Sequence, residues 1–570
     1  MTPRIERNEA RVVGEATTQA IAAFAAAELE NGNAVGGVLG ITSADELLAV
    51  IPVGSLDPAG REPMPADAVM PIASCSKTFL ALLALQEREA GRLDFDAPIS
   101  EHLPWFTPET VGGPITAHHC LTHTAGLPWG RAFTGEAVHN AAVTAREDGP
   151  FTVGPLAYSN DGFCLVGLAL ERITGTRIDR LLEERLLEPL GMTASAAALT
   201  PERRLRCAPG YVSAYDDRPA QATHPLVSAP WVNGTTADGS ISAGAADLCA
   251  FTRLLLRGGA GDAGPVISPA SFDALRAPHV RIPSDSLGAF ADDTSHGYAL
   301  FSGTVDGASV SWHPGRLAGY SALYMLDAGA GLGVVWLANG ESSADRIVRY
   351  ALQAIRAERA GSPPPVPLPP AAASASPLAS GRFVLGAGGG PAPDAHDGEG
   401  PDAHGELEFS SERGEAVLLA GPARLPLVPS TFVADGHLID APGWDRFVLR
   451  LERDTAGQVV ELLHGPRRWV RDDLAPEPAA ALPEAAVAFL GDYRSYNPFW
   501  PSVRVFPRRD ELWALLDSWG TEARLEPLGG GCYRVGPPPS GSRLEFDTVI
   551  EGKATRLVLD HQPYYRYDLP

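Results

Sequence analysis

The 570-residue sequence predicts an α+β fold: one domain of mixed helices and strands, followed by two small antiparallel β-barrels. Helical patterns at 11–30 and 343–358 bracket the strand-like runs of the first domain. A proline-rich segment at 362–378 then reads as a stiff, extended linker. Beyond it, short alternating strands and turns replace the helical patterns, which is typical of all-β structure.

Each element of the first domain follows from its periodicity. The predicted elements are, in chain order, a helix at 11–30, strands at 35–41 and 47–53, a helix that Ser74 opens, helices at 163–187 and 245–257, strands at 320–326 and 333–337, and a helix at 343–358. The eight residues after Lys77 are apolar on every side of the second helix. We therefore expect that helix to lie at the centre of the core.

The C-terminal region contains two segments that resemble each other. They pair Gly381-Arg382-Phe383 with Gly491-Asp492-Tyr493, and His464-Gly465-Pro466 with His561-Gln562-Pro563. This predicts two diverged copies of a unit of about 90–100 residues, of which the first carries a Gly/Pro/Asp-rich insert at 386–405. A single continuous β-sandwich is the alternative, and the region has one helix signal, at 478–490. The predicted domains are 1–361, the linker 362–378, a first barrel at 379–475 and a second at 476–570.

Charge and composition exclude several classes of function. The chain has 45 basic and 69 acidic residues, which argues against nucleic acid or an anionic membrane as a partner. Apolar runs are shorter than a membrane span needs, and no secretory signal is seen at the start. Taken as complete, the chain is predicted to be cytoplasmic. The six cysteines lack metal-ligand spacing, His118, His119 and His123 lack a carboxylate to complete a ligand set, and no cofactor is expected.

Lysine use singles out one position. Lys77 and Lys553 are the only lysines among the 45 basic residues, and Lys77 follows Ser74 by three positions. On a helix these two side chains share a face, and Ser74 lies near the positive end of the helix dipole. A lysine amine in an apolar setting loses its charge more readily and can accept a serine proton. A helix-capping serine beside an exposed lysine explains the local pattern equally well.

A second motif is Tyr158-Ser159-Asn160. A phenol placed between cationic groups can shuttle a proton to a leaving group or from a water molecule. The carboxamide of Asn160 can orient Lys77 and bind a substrate carbonyl. Alone, the motif is better explained by a tyrosine that packs against a helix start, with Asn160 or Asp161 as the cap.

A third motif is His313-Pro314-Gly315, which precedes a strand-like run. Glycine at 315 lets the backbone approach a bound acyl group. The amide of Arg316 can then join the amide of Ser74 in an oxyanion hole. An ordinary turn is the alternative.

Taken in order, these motifs resemble the serine β-lactamase-like, penicillin-binding-protein family, in which S-x-x-K, Y-x-N and K-T-G or H-x-G follow one another. Three further segments over roughly residues 15–355 match the family, at 120–128, 188–192 and 334–339. The resemblance implies an antiparallel sheet flanked by helices and an acyl-enzyme mechanism. By that similarity Ser74 is the nucleophile, Lys77 its activator, Tyr158 the general acid/base and Asn160 a positioning group.

His313 takes the place that lysine has in many relatives, and this favours the esterase and D-aminopeptidase branch. A catalytic domain with two lipocalin-like barrels is similar to the D-stereospecific aminopeptidases, in which a barrel loop reaches the active site. The run at 494–500 or acidic positions near Asp510 are the candidates here. Trp312 could narrow the site, whereas the Arg316 guanidinium could hold an acidic group.

The sequence thus predicts a serine hydrolase for an amide or ester bond, with a D-aminopeptidase, amidase or esterase preferred. The alternatives are an acyltransferase or peptide cyclase, then a β-lactamase or DD-peptidase, then a non-catalytic sensor. The expected partner is a small-molecule or short-peptide substrate, and a homodimer is among the open alternatives for assembly.

Overall fold

The computed structural model describes residues 13–30, 32–130, 138–139, 141, 150–282, 291–367, 381–386, 404–412, 415–430, 433, 435–474 and 482–567. Contacts group these residues into two compact units. The first unit holds the described parts of Met1–Asp96, Val166–Tyr211 and Asn233–Pro367, and the second those of Ala97–Leu165, Val212–Val232 and Leu368–Pro570. The domain boundaries predicted above remain predictions. Residues 368–378 of the predicted linker and 387–403 of the predicted insert lie outside the described residues.

An eight-stranded antiparallel sheet forms the centre of the first unit. Its strands are β1 Gly36–Ser43, β2 Leu47–Gly54, β3 Val280–Arg281, β4 Asp292–His296, β5 Phe301–Val305, β6 Ala308–Leu317, β7 Tyr320–Asp327 and β8 Leu332–Ala338. Their spatial order is β3-β4-β5-β6-β7-β8-β1-β2. Every residue of β7 and β8 is buried, which explains why both are nearly continuous apolar runs.

Five longer helices lie within the described residues. They are α1 Glu15–Glu30, α2 Ser76–Glu89, α3 Asn160–Thr174, α4 Ala245–Leu256 and α5 Ala344–Arg359. The first and last contact each other, because the Phe24 ring lies 4.5 Å from that of Tyr350. Phe79 of α2 stacks on Phe251 of α4 at 3.6 Å, which places α2 in the core as its apolar run predicts. None of the helices in the described ranges has the length and apolarity that crossing a membrane requires.

Some helix boundaries differ from the sequence prediction. The helix predicted at 163–187 ends at Thr174, because Gly175 adopts a positive φ of 71° that stops it. A short helix at Ile178–Leu182 and a π-turn at Glu183–Leu187 follow. Ser74 belongs to a 3₁₀ turn, Ala73–Cys75, that leads into α2.

Several shorter helices and strands lie between these longer elements along the chain. The short helical segments are Ile99–Glu101, Ala117–Leu121, Pro201–Arg204 and Pro269–Arg276, and the short strands are Val69–Pro71, Thr110–Val111, Phe151–Thr152, Tyr211–Ser213, Leu226–Ser228, Ser242–Gly244, Ala260–Gly261 and Gly264–Pro265.

The first C-terminal sheet has nine antiparallel strands and is nearly closed. They are β9 Gly381–Leu385, β10 Glu406–Glu412, β11 Glu415–Ala420, β12 Ala423–Pro426, β13 Val428–Pro429, β14 Gly436–Leu438, β15 Leu449–Arg453, β16 Val459–His464 and β17 Arg467–Arg471. The sheet begins at β12 and ends at β13, and only Leu427 separates these two strands along the chain. Its edges therefore come round toward each other.

The second C-terminal sheet is a closed barrel of eight strands. They are β18 Gly491–Arg494, β19 Ser502–Arg508, β20 Glu511–Leu515, β21 Glu522–Gly529, β22 Cys532–Val535, β23 Arg543–Ile550, β24 Lys553–Leu559 and β25 Gln562–Arg566. The predicted α+β class with two small β-barrels is confirmed, and two separate sheets exclude the single sandwich. Of the helix predicted at 478–490, the described residues contain one turn, Glu484–Val487.

The two barrels contact each other within the second unit. Phe447 and Phe506 meet edge to face at 5.0 Å. Arg508 donates to the Gly465 carbonyl at 2.9 Å and pairs with Glu522 at 2.7 Å. The Glu522 side chain is fully buried, and the Arg450 guanidinium lies 4.0 Å from the same carboxylate.

Candidate active site

Ser74 lies where a short strand passes into a helix. Val69–Pro71 pairs with Ser242–Gly244, and the chain then turns at Ala73–Cys75 before α2 begins at Ser76. Ala73 adopts a positive φ of 46°, an unusual conformation for a residue with a side chain. The turn leaves Ser74 half-buried at the amino-terminal end of the helix, where the helix dipole is positive.

Lys77 is fully buried one turn below Ser74. Its Nζ lies 3.0 Å from the Oγ of Ser74 and donates to the carbonyl oxygen of Asp238 at 2.9 Å. The segment that carries Asp238 is held in place by Ser76, whose Oγ accepts from the amide of Ile241 at 3.2 Å. Two of the residues predicted from the sequence are thus in direct contact, and a backbone carbonyl fixes the amine from the other side.

His313 is a fully buried imidazole. Its Nδ1 lies 2.7 Å from the carbonyl oxygen of Pro314. Because a carbonyl only accepts, Nδ1 carries a hydrogen, and in the neutral ring Nε2 then has the lone pair. Burial, and then the charge of Lys77, hold the pKa of His313 well below its usual value. Nε2 has no hydrogen-bond partner in the described part of the chain.

The strand that carries His313 runs close to the Ser74 turn. The pairing between β5 and β6 ends at Trp312, so residues 313–317 of β6 extend past the end of β5. Here the Cys75 thiol donates to the carbonyl of His313 at 3.2 Å. A Cβ on Gly315 would overlap the carbonyl oxygen of Ile72 and lie 3.2 Å from the Cys75 sulfur. Glycine is therefore required for this approach, and the motif is part of a strand rather than a turn.

Side chains alternate along a strand, so Trp312 and Arg316 share one face of β6 while His313 and Gly315 share the other. Trp312 is fully buried and stacks on Phe301 at 5.9 Å. The Nε of Arg316 lies 3.7 Å from a carboxylate oxygen of Glu341. The indole is consequently a core side chain, and the guanidinium already faces a carboxylate of this chain.

Tyr158 and Asn160 belong to the second unit. The Tyr158 ring stacks on His123 at 4.1 Å and meets Trp129 at 5.1 Å. Asn160 opens α3, where its backbone amide donates to the carbonyl of Trp129 at 2.7 Å. Its side-chain Nδ2 donates to the carbonyl of Gly130 at 3.2 Å. Loop 123–130 therefore shapes the surroundings of both residues.

The C-terminal barrel supports that loop. The Trp500 ring meets Trp129 edge to face at 6.4 Å. The amide of Trp129 donates to the Oγ of Ser542 at 3.3 Å. A Cβ on Gly541 would overlap the Gly126 carbonyl oxygen, so barrel backbone and loop backbone touch. The sequence pointed to the run at 494–500 but not to Trp129 or Ser542, since a lone aromatic or serine carries no signal of a contact hundreds of residues away.

Two further candidate positions from the sequence, Arg494 and Asp510, lie in the second C-terminal barrel. Arg494 pairs with Asp216 at 2.7 Å, and Asp510 lies exposed in the turn between β19 and β20. Cys75 is fully buried, and that burial raises the pKa of its thiol.

The three histidines weighed as metal ligands lie on and after one short helix. His119 forms a capping box with Thr116, and the ring of His123 accepts the amide of Ser159 at 3.1 Å. Across the described ranges, no three His, Cys, Asp or Glu residues are grouped to hold a metal ion.

The predicted residues thus fall into two sets, each described in its own unit. Ser74, Lys77, His313, Gly315 and Arg316 lie in the first unit. Tyr158 and Asn160 lie in the second. Their chemical roles remain predictions.

Comparison with known proteins identifies the family. The Beta-lactamase family model matches residues 19–358, and the chain belongs to this family. The chain is 27% identical over 288 residues to penicillin-binding protein 4 of Amycolatopsis lactamdurans, covering 48% of this chain and 73% of that protein. It is 28% identical over 322 residues to a D-aminopeptidase of Cereibacter sphaeroides (strain ATCC 17023), covering 54% and 57% of the two chains.

A solved structure extends the likeness of fold. The octameric penicillin-binding protein homologue from Pyrococcus abyssi aligns with a TM-score of 0.55 at 20% identity, over 80% of this chain and 99% of that one. The family and the fold predicted from the sequence are therefore confirmed, and the family supports a serine hydrolase.

Proposed function

We propose that this protein hydrolyses an amide or ester through an acyl-enzyme on Ser74, as a D-aminopeptidase, an amidase or an esterase. The observation that carries the proposal is the 3.0 Å separation between the Ser74 oxygen and the Lys77 nitrogen. Lys77 is also fully buried and its amine is held by the Asp238 carbonyl at 2.9 Å, so the proposed proton acceptor is fixed beside the nucleophile.

Acylation begins when the Ser74 oxygen attacks the substrate carbonyl carbon. The hydroxyl proton passes to Lys77, and the carbonyl oxygen takes up the negative charge. Backbone amides of Ser74 and Arg316 are proposed to bind that oxyanion, helped by the positive end of α2. The tetrahedral intermediate then collapses, the bond to the amine or alcohol breaks, and an ester to Ser74 remains.

The leaving group must receive a proton, and the attacking water must later lose one. We assign both transfers to Tyr158, with Asn160 as a positioning group, from their places in the Tyr158-Ser159-Asn160 motif. Deacylation reverses acylation. Water adds to the carbonyl carbon of the ester, the bond to the Ser74 oxygen breaks, and Ser74 recovers its proton.

The charge of the site favours substrates without an essential carboxylate. Burial holds the pKa of His313 well below its usual value, which favours a neutral ring with a lone pair at Nε2 over a cation. Arg316 faces Glu341, so its charge is partly neutralised. These features support the aminopeptidase, amidase and esterase branch over a β-lactamase or DD-peptidase. Small or short-peptide substrates, a homodimer and a cytoplasmic location remain predictions.

Covalent labelling tests the proposal. A fluorophosphonate probe is expected to label the wild-type protein and not the Ser74→Ala variant. Hydrolysis of D-Ala and L-Ala p-nitroanilides, analysed with and without an added amine, then separates stereochemistry and transfer from simple hydrolysis. A folded wild-type protein that takes up no label at any pH would rule out the acyl-enzyme.

A further inference from the structure

The chain that joins β8 to α5 forms a tightly held corner of the first unit, called the 339–342 corner below. Asn339 donates its backbone amide to the Gly36 carbonyl at 3.1 Å, and its side-chain oxygen accepts the Gly36 amide at 2.8 Å. A Cβ on Gly340 would lie 2.3 Å from the carbonyl oxygen of Asn33. The corner therefore packs directly on the segment that leads into β1.

The corner is also fastened to the neighbouring strands. The Ser321 hydroxyl of β7 donates to the Gly340 carbonyl at 2.8 Å and lies 2.8 Å from the Ser342 hydroxyl. Trp336 of β8 donates its indole hydrogen to the Ser342 oxygen at 2.9 Å. Because Ser321 pairs with Arg316 across the sheet, the corner is fixed beside the end of β6.

A carboxylate of the corner faces the Arg316 side chain. The Nε of Arg316 lies 3.7 Å from an oxygen of Glu341, and these side chains are 28% and 16% exposed. The backbone of Glu341 is itself held, because its carbonyl accepts the Asn33 amide at 3.0 Å. Asp345, in the first turn of α5, is a second acidic neighbour: burial raises the pKa of its carboxyl, and the charge of Arg316 is the largest influence that lowers it. The guanidinium at the end of β6 is thus tied to acidic groups on a fixed corner.

The part of β6 that carries Arg316 has few other restraints. The pairing with β5 ends at Trp312, so among the described strands β7 alone continues the sheet beside residues 313–317. The face of β6 toward the Ser74 turn carries Gly315, which has no side chain to lock into place. A strand end that is paired along one edge opens more readily than one paired along both edges.

The Arg316 amide of the proposed oxyanion hole depends on the position of this strand end. A donor stabilises the oxyanion only when it lies about 2.7–3.1 Å from the place where the negative charge develops. Side chains alternate along a strand, so the Arg316 side chain points away from the Gly315 face and toward Glu341. The side chain can therefore be held by the corner while the amide of the same residue serves the site.

We infer that Glu341 is a positioning residue, which holds the Arg316 side chain and thereby fixes the Arg316 amide in the oxyanion hole. The inference rests on the proposed function, because that amide is assigned there to the acyl-enzyme mechanism. It gives Glu341 no contact with the substrate. A partly exposed ion pair adds little to folding stability, so its effect should appear in catalysis rather than in the melting temperature.

The hydrolysis of p-nitrophenyl acetate by Glu341→Gln, Arg316→Met and the double variant tests this inference, since all three keep the backbone amide at position 316. Removing an oxyanion donor outright costs about 10²–10³-fold in kcat, so a displaced donor should cost about tenfold in Glu341→Gln, with KM within about twofold of the wild-type value. The double variant should be no slower than Arg316→Met alone, because both changes break one interaction. Arg281→Met, which breaks an exposed pair with Asp293 in the same sheet, is the matched control and should behave like the wild type.

Two further readouts separate positioning from a general structural effect. Phenylboronic acid, which adds to a serine as a tetrahedral anion, should bind about tenfold more weakly to Glu341→Gln than to the wild type. Arg316→Lys keeps a cation opposite Glu341 and should recover most of the kcat that Arg316→Met loses.

A kcat within about twofold of the wild type in Glu341→Gln would overturn the inference, as would a loss confined to KM or losses that multiply in the double variant. If Glu341→Gln fails to fold, the comparison of Arg316→Met with Arg316→Lys replaces it, and equal kcat values in those two variants overturn the inference. A wild type that takes up the fluorophosphonate label but hydrolyses the ester no faster than Glu341→Gln contradicts the positioning role alone. A wild type that takes up no label contradicts the proposed function instead.

Discussion

Replacing Lys77 by methionine tests whether the Lys77 amine activates Ser74. Methionine is unbranched, of similar length and apolar, so it fits the fully buried position that lysine occupies. The variant removes the proton acceptor 3.0 Å from Ser74 and the donor to the Asp238 carbonyl while it keeps the position filled.

The structure allows the effects on activity and on stability to be separated. Losing a positioned general base lowers rates by about 10²–10⁴-fold, which is about 3–5 kcal/mol in activation free energy. The lost hydrogen bonds to Ser74 and to the Asp238 carbonyl cost about 1 kcal/mol of folding stability each, and burial of an apolar group in place of an amine offsets part of this. Activity should therefore collapse while the melting temperature changes little.

The assay is the second-order rate of fluorophosphonate labelling, measured beside kcat/KM on an ester and the melting temperature. Lys553→Met is the matched control, because Lys553 is the other lysine of the chain and lies exposed at the start of β24. It should label like the wild type. A Lys77→Met variant that labels within threefold of the wild type would show that Lys77 does not activate Ser74.

Three further perturbations test other parts of the structure. Gly315→Ala forces a methyl group into the Ser74 turn and should lower kcat/KM about a hundredfold, since misplacement of reacting groups by about 1 Å costs that much. Gly405→Ala is the control and should leave kcat/KM unchanged, because a Cβ there meets no atom within 4 Å. Equal kinetics in both variants would contradict the close approach. Burial lowers the pKa of His296 to about 3, below its ordinary value near 6.5, so the unfolded chain binds a proton that the folded chain does not, and unfolding free energy should fall by up to about 1.4 kcal/mol per pH unit as pH drops from about 6.5 toward 3. Urea denaturation at pH 7.0 and 5.5 should show a shallower loss in His296→Gln, and an unchanged loss would refute that assignment. Arg508→Met deprives the buried Glu522 carboxylate of its 2.7 Å partner and should lower the free energy of unfolding by about 3–5 kcal/mol. Arg382→Met, at an exposed pair, should lower it by at most about 1 kcal/mol. Similar melting temperatures for the two variants would show that burial does not govern the strength of these ion pairs.

Local features of the sequence were enough to predict much of the fold. The apolar run after Lys77 predicts a core helix, and α2 is indeed buried, because eight apolar residues in succession leave a helix no polar face. The two Gly-x-aromatic segments predict two barrels, and Gly381 and Gly491 each begin the first strand of a sheet. The helix end at Thr174 was missed, because Gly175 stops a helix only when its backbone takes a positive φ.

What the sequence determined by itself is the pairing of residues close along the chain. Ser74 and Lys77 lie three positions apart, and helical geometry alone brings their side chains within reach. The tertiary structure decided everything that depends on distant segments: the placement of the His313 strand beside the Ser74 turn, and the seating of Trp500 against Trp129. The physical reason is that such contacts depend on strand register and on the packing of segments far apart along the chain, and neither leaves a periodic signal in the sequence.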